Sequence, residues 1–134
     1  MIKVVNLSSQ DVDESLIRKA IRVVLKEEKS DLSLSVAVVT SEEIKKLNYQ
    51  YRKKNSPTDV LSFGEDINEI VICPDEIKKN GDNFDEELEK VVIHGILHLL
   101  GYNHEGNKDE AKRMFDKQDK YFKKNGKTKS NIRH

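Results

Sequence analysis

Three of the chain's four histidines fall within eleven residues, His94-Gly-Ile-Leu-His98-Leu-Leu-Gly101-Tyr-Asn-His104. The run before them, with Leu88, Val91, Val92 and Ile93, predicts a helix over residues 85–100. Positions four apart on a helix lie about 40° apart around the axis and about 6 Å along it, so His94 and His98 share one face. Two imidazoles so placed can ligate one divalent metal ion. Glycine readily takes the left-handed conformation that closes a helix, so Gly101 predicts the stop. The chain then turns back, and His104 can supply a third ligand from the loop. A lone histidine on an apolar face is more often a hydrogen-bonded core residue. Three of them, with a glycine where the turn is needed, predict a metal centre at His94, His98 and His104. Three protein ligands with a fourth position left for water is the pattern of a catalytic zinc site. The expected cofactor is one Zn2+ per chain, and imidazole ligands also suit nickel or another divalent metal.

The same histidine and glycine spacing occurs in the metzincin proteases, H-E-x-x-H-x-x-G-x-x-H. Those enzymes carry a general-base Glu directly after the first His. This chain has Gly95 there, which cannot take a proton. The longer string H-G-x-L-H-L-x-G-Y-x-H, which adds Leu97, Leu99 and Tyr102, resembles the YbeY-type endoribonucleases, the ribosomal RNA maturation factors of bacteria. The family's usual Asp before the last histidine is Asn103 here, so this chain has no carboxylate at that position. A second stretch, Tyr51-Arg52 followed by Thr58-Asp-Val-Leu-Ser-Phe63, is similar to the same family. The resemblance covers about residues 46–114, and the first forty residues only in pattern.

The resemblance implies a metal-dependent, single-strand-specific endoribonuclease of ribosomal RNA maturation, with a zinc held by three histidines activating water. It implies single-stranded RNA, ribosomal RNA in particular, as substrate, and the ribosomal subunit or its proteins as partner. Arg52 and His98 are the expected catalytic residues, and Arg52, Ser62 and Tyr102 the expected substrate contacts. A guanidinium offers a planar fork of donors that suits a phosphate and its more charged transition state. Tyr102 could stack on a base or close the helix end. Asp59 suits the cleft or its turn equally, and Met114 reads as core first. Two rival functions stay open: another zinc hydrolase (peptidase or amidase) with a metzincin-like cage, or a non-catalytic ribosome-assembly factor with a structural metal.

At 134 residues the chain suits one domain with one real core. No apolar run approaches the roughly 18 residues needed to span a membrane. The start lacks the charge and length of a signal peptide. A single cysteine, Cys73, excludes an internal disulfide and is consistent with a cytoplasmic protein. Formal charge is zero overall but uneven: residues 65–104 carry three basic and ten acidic side chains, and residues 105–134 ten basic and five acidic. Basic segments flanking the histidines could steer a polyanion, or they could be solvated helix faces.

Periodicity predicts strands over 2–7, 32–39, 60–63 and 69–73, the last two forming an antiparallel hairpin. It predicts helices over 11–28, from a Thr40 cap to Lys53, from Pro74 to near Gly81, over 85–100, and from an Asn107 cap to Lys124. Asn125-Gly126 is the expected stop. The domain is expected over 1–126, with a flexible basic tail over 127–134. Strands that alternate with helices and then give way to helices predict an α+β domain. Its expected form is a four-stranded mixed sheet packed with about five helices, the histidine helix at its core.

Overall fold

The computed structural model describes residues 1–124 in full. Its elements are β1 (Ile2–Asn6), α1 (Glu14–Glu27), β2 (Leu34–Val38), α2 (Ser41–Arg52), β3 (Val60–Phe63), β4 (Glu69–Ile72), α3 (Pro74–Ile77), α4 (Phe84–Leu99) and α5 (Lys108–Arg133). A 3-10 turn over Lys78–Asn80 extends α3. The helix expected from residue 11 begins at Glu14, because the Asp13 carboxylate caps it by accepting from the Leu16 amide at 3.2 Å. Asn83 caps α4 in the same way, accepting from the Glu86 amide at 3.1 Å. Thr40 caps α2 and Asn107 caps α5, both as the sequence predicts. Helix α5 does not stop at the expected Asn125-Gly126 but runs on to Arg133, so residues 127–133 of the expected basic tail continue the helix; His134 lies outside the described residues.

The sheet order is β1-β2-β4-β3. β1, β2 and β4 run parallel, and β3 pairs antiparallel with β4 through Leu61 opposite Val71 and Ser62 opposite Ile70. This is the four-stranded mixed sheet expected.

The interior strand β4 is apolar from Ile70 to Ile72, and Cys73 directly after it continues the run, because both faces of the sheet are covered. Ile70 and Ile72 point to the larger core, with Ile17, Ile21 and Val24 of α1 and Leu88, Val92 and Ile96 of α4. Val71 and Cys73 point to a smaller core with Ile44 of α2 and Leu61 of β3. Helices α2 and α4 therefore pack on opposite faces, and β3 is the edge strand they flank. Asn48 of α2 is 4% exposed and donates to the Ser56 carbonyl at 2.9 Å, which ties the loop between α2 and β3 to the helix.

Candidate metal centre and cleft

Helix α4 carries His94 and His98 toward its C-terminal end and is buried along Val91, Val92, Ile93, Ile96 and Leu97. It closes with Gly101 at φ 100°. The Gly101 amide donates to the His98 carbonyl at 3.0 Å and the Tyr102 amide to the Leu97 carbonyl at 3.0 Å. This pair of bonds is the Schellman closure, and it needs the left-handed residue that glycine supplies. Two side-chain caps then bracket the loop. Asn103 Oδ1 accepts from the Glu105 amide and Asn107 Oδ1 from the Glu110 amide, each at 2.8 Å. His104 is held between them.

One potential ligand atom from each of His94, His98 and His104 lies within 4.8 Å of the others, and all three side chains are half-buried. His104 Nδ1 and His98 Nε2 are 3.0 Å apart. Nitrogens bound at roughly 2.0–2.1 Å in a tetrahedral site stand about 3.3 Å from one another, so the His98–His104 pair already stands near the spacing of such a site, with His94 within 4.8 Å of both. The partner of His94 supports the same fit. Its Nδ1 lies 2.8 Å from Gln118 Oε1, and an amide oxygen only accepts. Nδ1 therefore carries the proton and Nε2 keeps a lone pair.

The imidazoles are biased toward the neutral form that ligates. Burial lowers the pKa of His94, against a hydrogen bond to Gln118 that raises it. Burial, with charge repulsion from His94 and His104, pulls His98 down to about 4.

These histidines line a cleft of about 690 Å³ that also takes in Arg52, Asn48, Asp59 and Ser62. Arg52 ends α2, where Lys53 turns left-handed at φ 59°. Its Nη2 donates to the Ser62 carbonyl at 3.1 Å, so the guanidinium lies along the edge strand. The Ser62 hydroxyl donates in turn to the Gly95 carbonyl at 3.1 Å and ties β3 to the histidine helix. The approach is close at Gly95. A Cβ there would stand 3.1 Å from Ile70 Cγ2 and 3.3 Å from Val60 Cγ2.

Of the residues expected to contact substrate, the cleft gathers Arg52 and Ser62 and leaves out Tyr102. The Schellman turn directs Tyr102 inward, where its hydroxyl donates to Glu28 Oε1 at 2.8 Å and the Arg113 guanidinium sits 5.2 Å from its ring centre. Tyr102 closes the helix end, the second of its two expected roles. Met114 is fully buried, as expected.

Two residues of this region escaped the sequence reading. Gln118 sits on the inward face of α5 with Met114 and Tyr121, at spacings of four and three, and a polar residue on such a stripe is the signal that could have found it. Glu28, at the C-terminus of α1, receives the hydroxyls of both Tyr102 and Tyr121 and pairs with Lys117 at 3.4 Å. No local pattern announces it.

A three-histidine cluster set beside an arginine in one cleft of an α+β domain defines a candidate metal-centred hydrolase. The comparisons narrow the class. The endoribonuclease YbeY family profile matches residues 3–126, and the chain belongs to that family. It is 42% identical over 113 residues to endoribonuclease YbeY of Thermotoga petrophila, covering 78% of this chain and 75% of the relative. It is 38% identical over 125 residues to that of Thermosipho melanesiensis, covering 87% and 91%. The solution structure of a Thermotoga maritima protein superposes with a TM-score of 0.67 at 37% identity, over 98% of this chain and 93% of the other. Among the described residues no helix is long and apolar enough to cross a membrane.

Proposed function

We propose that this protein is a metal-dependent endoribonuclease that hydrolyses phosphodiester bonds of single-stranded RNA in ribosomal RNA maturation. The observation that carries the reading is the convergence of His94, His98 and His104 in the cleft that also holds Arg52. Family membership supports the reaction class. Zn2+ is the proposed ion, held by the three histidines, with nickel or another divalent metal as the alternative. The proposed setting is the cytoplasm, with the ribosomal subunit or its proteins as partner, and residues 1–126 form the proposed catalytic domain.

A bound divalent cation supplies Lewis acidity and lowers the pKa of water to near neutrality. The chain's own residues do the rest. His94 and His98 present lone pairs from a rigid buried helix, and His104 completes the set from a capped loop. Gln118 fixes the tautomer of His94. Arg52 stays aligned by the Ser62 carbonyl and presents its remaining donors to a phosphate oxygen, where charge accumulates during phosphoryl transfer.

Gly95 argues against the peptidase reading on geometry as well as chemistry. The backbone there lies against Ile70 and Val60, so a base side chain at that position would meet the sheet. The remaining rival, an assembly factor with a structural metal, parts from the nuclease in one experiment. The purified protein is stripped with chelator and assayed on single-stranded RNA before and after metal return, with casein as control. The nuclease reading expects RNA cleavage lost and restored, and no proteolysis, with His98→Ala holding little metal. RNA binding with no metal-dependent turnover would favour the assembly factor.

A further inference from the structure

Helix α5 turns Ala111, Met114, Gln118 and Tyr121 toward the protein, and Met114 and Tyr121 are fully buried. Phe115 stands beside that stripe and is 46% exposed. Single exposed apolar side chains are ordinary on a protein surface. Phe115 stands outside the residues that line the cleft, as Tyr102 does, but differs in its neighbours. Its ring centre is 5.9 Å from that of His104 and 6.4 Å from that of His94, the two candidate ligands drawn from different elements. A phosphate placed at the histidine cluster therefore brings its own nucleotide within reach of an aromatic ring that is half open to solvent. Aromatic rings stack on any base through its π-face, and a base stacked between its neighbours in a duplex cannot offer that face.

We propose that Phe115 is a base-stacking subsite, taking an unpaired nucleobase next to the phosphate held between Arg52 and the histidines. The subsite rests on the nuclease reading and supplies what Tyr102, turned inward, does not: an aromatic surface beside the reaction centre that favours single strands over duplex.

The test measures binding of a 2′-O-methyl single-stranded oligonucleotide carrying 2-aminopurine to metal-loaded wild type, Phe115→Ala, Phe115→Leu and Phe115→Trp, with metal content measured on each. Wild type and Phe115→Trp should bind and quench the probe. Phe115→Ala and Phe115→Leu should bind about tenfold more weakly and quench little, within the range of base–aromatic stacking. Metal content should be equal in all four. On cleavable RNA, Phe115→Ala should raise KM and leave kcat nearly unchanged, and an abasic site beside the scissile phosphate should erase that difference. Binding by Phe115→Leu at wild-type strength would show an apolar cover and overturn the subsite. So would lost metal in Phe115→Ala, which would make the ring a prop for the ligands, or binding equal to wild type in Phe115→Ala. A wild type that cleaves RNA while the variants match it removes the subsite alone. A wild type that neither binds nor cleaves RNA removes the nuclease reading, and the subsite with it.

Discussion

Gln118 Oε1 lies 2.8 Å from His94 Nδ1, joining the last helix to the histidine helix across 24 residues of chain. Ring orientation and tautomer at a candidate ligand thus depend on a residue outside the histidine string. Such outer partners typically carry a 10–100-fold effect on metal affinity. Gln118→Leu should weaken metal binding by about that factor with the fold intact, and Gln118→Glu, which keeps an acceptor, should retain affinity. Competition titration against a chromogenic chelator measures both. Unchanged affinity in Gln118→Leu would make the contact incidental.

Glu28 should matter to stability more than its place at a helix end suggests. Its carboxylate takes the hydroxyl of fully buried Tyr121 and that of Tyr102. Burial acts to raise its pKa, but hydrogen bonds from Tyr121 and Tyr102 and the Lys117 charge prevail and lower it. Glu28→Ala leaves a buried hydroxyl unpaired, at a cost of about 1–3 kcal/mol. Calorimetry should show a thermal midpoint several degrees lower. Tyr121→Phe in the Glu28→Ala background should recover part of the loss, because it removes the orphaned group.

Acid should destabilise the metal-free protein before it reaches the ordinary carboxylate range. The pKa of His98 falls from 6.5 in a free side chain to about 4 in the folded chain, and His94 shifts the same way. Between those values the unfolded chain binds more protons than the folded one, so stability rises with pH and is lost as pH falls from 6.5 toward 4. Urea midpoints of chelator-treated protein across that window should decline steadily toward acid. His98→Gln should flatten the decline. A profile identical to wild type in that variant would place the acid sensitivity elsewhere.

Arg52 should matter to rate and hardly to fold. It is exposed, and its contact to Ser62 uses one donor of the guanidinium. Arg52→Ala should change stability by no more than about 0.5 kcal/mol. The same substitution should slow RNA cleavage by about a hundred- to a thousandfold. Arg52→Lys should rescue in part, because it keeps the charge and loses the planar fork. Cleavage rates, metal content and thermal midpoints across the three proteins decide the matter. Wild-type cleavage by Arg52→Ala would assign the arginine to scaffold.

What could be read from the sequence was what is local. The histidine helix and its stop follow from the spacing of His94 and His98 and from Gly101, all within one helix and one turn. The run Ile70-Val-Ile-Cys73 reads as a strand because burial on both faces writes itself into every position. The outer parts of the site depend on long separations. Glu28 meets Tyr102 across 74 residues and Tyr121 across 93, and no periodicity encodes such pairs. Tyr102 shows the limit within a single turn. Its proximity to His104 is evident in the chain, but which way its ring points is set by where α1 ends.

The close approach at Gly95 also bears on how such a cage can change its chemistry over time. A glycine codon can become a glutamate codon through one base change, which would complete the protease-like string after His94. In this fold the new Cβ would stand 3.1 Å from Ile70 Cγ2 and 3.3 Å from Val60 Cγ2, so those side chains would have to give by a few tenths of an ångström. The shortest genetic step between the two histidine strings therefore carries a packing cost beneath the helix that holds two candidate ligands. Ile70 and Val60 would have to repack along with it, so packing as well as chemistry separates two kinds of site whose letters nearly coincide.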